Sequence, residues 1–458
     1  MFDALGFTKT LIKIPSISAD SSRREDVAKC AAVYVEKLRE LGFDAEAVKT
    51  ELHPIVWATR KAKVPPKFRV LCYGHYDVQP VDPIDKWQTP PFEPIVKEGR
   101  LCGRGSADNK GPFMCLLGGL VKFLEKNPDA PIDFALMIEG EEEISSPSMG
   151  AFLKQKADEL AGYDVLLLSD TSSISEDQMV VTTGLRGVFA FDVTFTGPAS
   201  DLHSGMFGGA IYNPLQAMSE VCASLHDKDG FVNIEGFYDG VLPLADWERE
   251  DIKKSNFGDE SLCACAGVKK LYAQRGYSAS EALRVLPTLE FTGMGGGYQG
   301  QGNKSIIPST CFCKISIRLV PNQNGEKIYK LVRDEIIKRT PPAVKVEVSP
   351  LDGVGDAYCV IPPNREGAPN PYPQKLAKVF EAAEAAVEKN FGNKPLYLRE
   401  GGSIPLISDV KRITGLDSVM LGLFTPSDNL HAPNESFSLK IMERAINSYA
   451  QIFEELSK

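Results

Sequence analysis

The chain has 458 residues, 43% of them apolar and 24% charged, which is enough for a large buried core divided among two or three globular units of about 100–200 residues each. Its 51 basic and 61 acidic side chains leave a net charge of −10, which excludes a broad cationic face for nucleic acid or anionic lipid. No apolar run approaches the roughly 20 residues that span a bilayer, and the N-terminal stretch MFDALGFTKTLIKIPSIS lacks a charged-then-apolar signal pattern, so the expected location is the cytosol.

SRREDVAKCAAVYVEKLRELGF carries apolar residues at helical spacing, with Gly42 near its end, and predicts an early helix. Short apolar runs separated by polar loops follow, the pattern of a layered α/β domain. Three of these runs end on side chains that bind metals: FRVLCYG leads to His75 and Asp77, IDFALMI to the stretch from Glu139 to Glu143, and YDVLLLS to Asp170. Ligands of open α/β sheets bind at the C-terminal ends of strands, so these ends are the expected site. Between them, GRGSADNKGP precedes a helical run, FMCLLGGLVKFLEK; taken alone, Asp108 or Asn109 reads as a helix cap. Three consecutive carboxylates, Glu141 to Glu143, follow a buried strand and repel one another unless cations or protons offset them.

Near residue 182 the text changes to β-branched and aromatic alternation, as in CKISIRLVP, mixed with helical patterns and Gly-rich loops up to about residue 362. The expected organisation is therefore 1–182 and 363–458 as two parts of one α/β domain, with 183–362 an inserted α+β domain. PQKLAKVFEAAEAAVEKNFG predicts a long helix after the insertion, and RITGLDSVMLGLF a strand that ends just before the loop holding His431. Ten cysteines are too sparse for a disulfide scaffold; Cys72 and the pairs Cys263/Cys265 and Cys311/Cys313 are expected to pack in cores and not to bind zinc.

Only five histidines occur. His75, His203 and His431 lie in loops rich in Gly, Asp, Asn and Ser, whereas His53 and His226 read as ordinary surface or core residues. Asp77 stands two residues after His75, where a carboxylate can accept the second imidazole N–H. His75, Asp108, Glu143, Asp170 and His431 form a mixed nitrogen and oxygen set that suits two Zn²⁺ or Mn²⁺ ions with a shared carboxylate, and not an all-oxygen Ca²⁺ cage. Such a pair activates water at neutral pH, and a spare glutamate then serves as general base; spacing alone leaves open which glutamate that is.

In order along the chain, GHYDVQP, GRGSADNKGP, EGEEEISS, LLLSD, DLHSGMFGG, SIRLVP, REGGSIP and NLHAPNE resemble the motifs of the dimetal exopeptidase family of carnosinase and cytosolic non-specific dipeptidase, which is related to glutamate carboxypeptidase and succinyl-diaminopimelate desuccinylase. The match runs over essentially the whole chain. The resemblance implies an aminopeptidase-like catalytic domain interrupted by a ferredoxin-like lid and dimerisation domain. It implies that His75 and Asp170 hold one metal, Glu143 and His431 the other, and that Asp108 bridges both. Glu142 would be the general base and Asp77 would orient His75. Glu141 fills the single position that the family places between EG and the catalytic pair. His203 would reach the partner subunit's site in a homodimer and stabilise the oxyanion, while Arg318, Ser403 and Ser305 would hold the substrate's terminal carboxylate. Asn109 stands where many dipeptidase relatives carry aspartate. The implied activity is dipeptide hydrolysis; the alternatives are an N-acyl amino acid amidohydrolase or carboxypeptidase of the same chemistry, and a catalytically silent binding homologue.

Overall fold

A computed structural model describes residues 2–255, 258–351 and 353–458. Its larger sheet has nine strands, in the spatial order Asp44–Val48, Ile55–Arg60, Ile132–Glu139, Phe68–His75, Val165–Leu168, Ser418–Leu421 and Val180–Leu185, with Tyr358–Cys359 and Leu396–Glu400 both pairing with the last. The centre is parallel: Phe68–His75 runs parallel to both of its neighbours, and Ser418–Leu421 to Val165–Leu168. Ile132–Glu139, Val165–Leu168 and Ser418–Leu421 are buried along their whole lengths. Both faces of a parallel sheet are covered, which is why these strands appear in the sequence as unbroken apolar runs without alternation.

Helices Lys110–Lys126, Gln374–Phe391 and Leu439–Ser457 pack side by side in the same core. A Cβ on Gly119 would lie 2.4 Å from the Tyr449 Cβ, so glycine permits this close helix contact.

The smaller sheet has four antiparallel strands in the order Thr288–Gly296, Thr310–Leu319, Gly187–Thr196 and Lys345–Val348. With helices Pro214–Ser224 and Gly325–Arg339 interposed, the chain order is strand, helix, strand, strand, helix, strand, a ferredoxin-like arrangement. Thr310–Leu319 alternates exposed and buried residues, so one face covers a separate core and the other is open. Val180–Leu185 and Tyr358–Cys359 belong to the larger sheet, and the four strands of the smaller one run from Gly187 to Val348. Backbone pairing, which composition does not reveal, assigns these border residues.

Cys311 and Cys313 lie in the smaller core, but Cys263 and Cys265 do not. Their helix, Asp259–Ala266, buries no residue, and Cys265 is exposed, which corrects the core-packing expectation for that pair. Helix Asp246–Lys254, from the middle of the chain, docks on strand Leu396–Glu400. There Arg399 makes a buried two-pronged ion pair with Glu248 at 2.6 and 2.9 Å, and the Tyr397 N–H donates to Asp251 at 3.1 Å. This fixes the strand leading into the loop 401–403. No helix among the described residues is long and apolar enough to cross a membrane.

Candidate metal centre and substrate site

Four C-terminal strand ends and the loops behind them converge on one cluster. His75 closes strand Phe68–His75, where Gly74 lets the strand lie against Phe113: a Cβ there would meet that ring at 2.3 Å. The His75 Nε2 lies 3.1 Å from Asp108 Oδ1 and 3.8 Å from Asp170 Oδ1. Its Nδ1 lies 3.2 Å from the Asp77 backbone carbonyl and 3.3 Å from Asp77 Oδ1, so Asp77 offers that nitrogen two acceptors. On the other side of Asp108, His431 Nε2 lies 2.8 Å from Oδ2 and 3.3 Å from Glu143 Oε2. Two triads result, His75–Asp108–Asp170 and Asp108–Glu143–His431, each with its ligand atoms within 4.8 Å of one another.

Asn109 follows Asp108 at the start of helix Lys110–Lys126 but makes no side-chain cap. Its amide donates instead to Asp170 Oδ1 and the Ser169 carbonyl, both at 2.8 Å, which orients Asp170. Gln79 does the same for Glu143 at 2.7 Å. Asp77 is wholly buried and also accepts the backbone N–H groups of Glu142 and Glu143, at 3.2 and 3.1 Å.

The three consecutive glutamates are separated by the turn. Glu141 points away from the cluster: its carboxylate accepts the His53 N–H at 2.7 Å and the Ser148 N–H and hydroxyl at 2.8 Å. Glu142 points inward, 4.0 Å from His75 Nε2.

The electrostatics fit cations. Burial raises the Glu142 and Glu143 carboxyls, with neighbouring carboxylates adding to the shift, and it brings Asp170 up to about 7 despite the opposing His75. Hydrogen bonds to Asp108 and Glu143 raise His431 to about 10. Burial disfavours the charged form of His75, but Asp170, Asp108, Asp77 and Glu142 together outweigh it and raise that imidazole well above its usual range. Burial opposes ionisation of Asp108 too, yet its two histidine partners hold its carboxyl low. Two divalent ions would supply the positive charge that these crowded carboxylates lack, and the mixed donor set matches zinc or manganese coordination.

Arg318 and Ser403 meet although 85 residues apart, with the guanidinium Nη1 donating to the Ser403 hydroxyl at 2.7 Å. Ser305 lies elsewhere, beside His203: its carbonyl accepts the Ser204 N–H at 3.0 Å, and His203 pairs with Ile306. His203 is exposed, and its ring Nδ1 accepts the Gly205 N–H at 3.0 Å; it is not drawn into the cluster of its own chain.

Residues 71–455 match the model of Peptidase family M20/M25/M40. The chain belongs to this family. It is 31% identical over 449 residues to Cys-Gly metallodipeptidase DUG1 of Saccharomyces cerevisiae, covering 93% of this chain and 90% of that protein. Against human Beta-Ala-His dipeptidase the identity is 27% over 472 residues, covering 99% and 90%. Among solved structures, the M20 family metallo-carboxypeptidase Sso-CP2 from Sulfolobus solfataricus superposes with a TM-score of 0.83 at 28% identity, with both chains fully covered. The chain is thus an M20-family enzyme with the fold that its motifs implied.

Two residues of this M20 peptidase site escaped the sequence reading. Glu435, fully buried, accepts the N–H groups of Gly105, Ala107 and Asp108 at 3.0, 2.8 and 3.1 Å and pairs with buried Arg104 at 2.7 Å. It ties the His431 loop to the Asp108 loop. The signal was its place at the end of NLHAPNE, four residues after His431, but nothing local distinguishes it from a surface glutamate. Lys110, also wholly buried, donates to the carbonyls of Leu11 and Ile14 at 2.9 and 3.2 Å, at the C-terminal end of helix Ala4–Ile12.

Proposed function

We propose that this peptidase hydrolyses dipeptides with two divalent metals, Zn²⁺ or Mn²⁺, held by His75, Asp108 and Asp170 on one side and Asp108, Glu143 and His431 on the other. One observation carries the reading: the Asp108 carboxylate is shared between two histidine-containing triads, with Glu142 free beside them. When bound, such ions acidify water and polarise a carbonyl, which supplies a nucleophile at neutral pH. Glu142 takes the proton of the attacking water and returns it to the leaving amine. Asp77 holds His75 in one tautomer. Arg318 and Ser403 grip the substrate's terminal carboxylate, with Ser305 contributing at the subunit boundary, and the fixed guanidinium fork matches that planar anion. The deciding experiment is hydrolysis of a mixed dipeptide panel by metal-stripped enzyme refilled with Zn²⁺ or Mn²⁺; full metal loading without free amino acid release would overturn the reading. The metallo-carboxypeptidase neighbour supports a second reading, in which longer peptides or N-acyl amino acids are trimmed from the C-terminus, and adding these substrates to the panel separates the two.

The inserted unit, near residues 183–362, serves in this reading as lid and dimerisation domain. Met206, Phe207 and Ile211 are exposed around His203, and Phe312 lies on the open face of the small sheet, which supports a homodimer that covers them. His203 of the partner subunit then stabilises the oxyanion. His203→Ala is expected to lower kcat by ~10²–10³. Mixing this variant with Glu142→Ala before reassembly should restore activity, since the mixed dimer retains one complete site; no recovery with proven subunit exchange would refute action across the interface. Ten free cysteines support a reducing compartment, and hence the cytosol.

The metal-free cluster also sets an acid–base expectation. The raised Asp170 carboxyl stabilises the metal-free fold below its unfolded pKa of about 4, and this contribution is lost as pH rises through about 7. His431 contributes stability below about 6.5, lost as pH rises through about 10. EDTA-treated protein should therefore melt lower at pH 9 than at pH 6, and added Zn²⁺ or Mn²⁺ should raise the melting temperature more at pH 9. An equal rise at both values would contradict a metal competing with protons for these ligands.

A further inference from the structure

Each of the two triads has one carboxylate that it does not share: Asp170 beside His75, and Glu143 beside His431. A carboxamide holds each of them. The Asn109 side-chain nitrogen donates to Asp170 Oδ1 and to the Ser169 carbonyl, both at 2.8 Å, which uses both of its hydrogens. The Gln79 nitrogen donates to Glu143 Oε2 at 2.7 Å and lies 3.4 Å from the Glu143 backbone carbonyl. In both cases the oxygen held is one that faces the histidine of its own triad. Asp170 Oδ1 lies 3.8 Å from His75 Nε2, and Glu143 Oε2 lies 3.3 Å from His431 Nε2. A carboxamide suits this task because it is a neutral donor: an ammonium or guanidinium would set positive charge against a cation, and an ionised carboxylate has no hydrogen to give.

The two clamps are not equivalent. Asn109 is 1% exposed, and its bond to the Ser169 carbonyl anchors it to the residue that follows strand Val165–Leu168. The His75 side chain in the same triad is fully buried. In the other triad the His431 side chain is 53% exposed, and the clamp is the longer, half-buried Gln79. Ligands already held in place bind an ion more tightly, because less ordering remains to be done on binding.

We infer that Asn109 and Gln79 are positioning residues that tune the two metal positions separately, Asn109 the His75–Asp108–Asp170 position and Gln79 the Asp108–Glu143–His431 position, and that the first position binds its ion more tightly. This division of labour rests on the two-metal reading. Each residue acts through the carboxylate it holds, so its removal leaves every ligand in the chain. A weak chelator should then strip one ion per subunit, the one beside His431, before the other.

The test is calorimetric titration of metal-stripped protein with Zn²⁺, with the visible absorption of Co²⁺ as a spectroscopic reading of the ligand geometry at each position. Wild type should take up two ions in two steps, and His431→Ala should lose the weaker step and keep the tighter. Asn109→Ala should weaken the tighter step by ~10–100-fold, the usual cost of removing a partner behind a ligand, and change the Co²⁺ spectrum of that position alone. Gln79→Ala should do the same to the weaker step. Melting temperatures of the metal-free variants check the fold, and half-buried Gln79 provides a test that stands if Asn109→Ala does not fold. Folded variants that weaken both steps alike, or neither, overturn the inference. Loss of the tighter step in His431→Ala overturns the order of affinities. Wild type that binds fewer than two ions defeats the two-metal reading itself.

Discussion

Glu142→Ala is expected to lower kcat by ~10²–10⁴ while both metals stay bound, the loss typical of removing a positioned general base. None of the six ligand contacts in the two triads comes from Glu142, so its removal leaves the metal set complete. Its carboxyl is raised well above the usual range, first by burial and then by Asp170, Asp108 and Glu143, with His75 opposing. Such a carboxyl is a better proton acceptor at neutral pH than an ordinary exposed glutamate. The neighbouring substitutions give the contrast. Glu143→Ala should lose metal along with activity. Glu141→Ala should chiefly weaken the fold, because it strips acceptors from the His53 and Ser148 N–H groups and the Ser148 hydroxyl. Metal analysis and steady-state kinetics on the three variants decide the register. A Glu142→Ala enzyme with more than a tenth of wild-type kcat, or an inactive Glu141→Ala enzyme that keeps its fold and metals, would reassign the base.

Glu435→Ala should cost about 3–5 kcal/mol of stability, because it leaves the Arg104 guanidinium buried without its partner. The same change strips the acceptor from three N–H groups, those of Gly105, Ala107 and Asp108. His431 has a left-handed φ of 58° and its neighbour Asn434 one of 66°, conformations that persist only where surroundings enforce them. Glu435 supplies part of that enforcement, and so the loss should extend to metal affinity as the Asp108 and His431 loops drift apart. Glu435→Gln keeps the shape and one acceptor oxygen and should cost less. Urea unfolding of the metal-loaded protein measures the first effect, and metal competition against a chelator the second. A stability loss under about 1 kcal/mol with unchanged metal affinity would show the ion pair to be dispensable.

The catalytic domain was readable because its physics is local. A parallel strand covered on both faces must be apolar throughout, so FALMI and VLLL announce themselves, and the residues that end them sit at the ligand-binding edge. The motifs around His75, Asp108, Glu143, Asp170 and His431 carried the family for a related reason: a two-metal site needs particular donor atoms, and those atoms are side-chain identities. Composition misled at the pair Cys263/Cys265. CACA reads as core, yet its helix lies on the surface and buries no residue, with Cys263 half-buried and Cys265 exposed. Val180–Leu185 and Tyr358–Cys359 flank the small sheet in sequence and belong to the larger one by backbone pairing.

Residue type and short-range order thus carry the fold class, the family and the identity of the side chains that meet in the two triads. Only the tertiary structure decided which of three adjacent glutamates faces the cluster, because the backbone of a tight turn aims successive side chains in different directions. It also decided that Glu435 and Arg104 brace the site, that Arg318 meets Ser403, and that His203 lies outside its own chain's cluster. The Glu435–Arg104 pair joins residues 331 positions apart and the Arg318–Ser403 bond residues 85 apart, and their energies arise from desolvation and geometry that exist only after the chain has closed on itself.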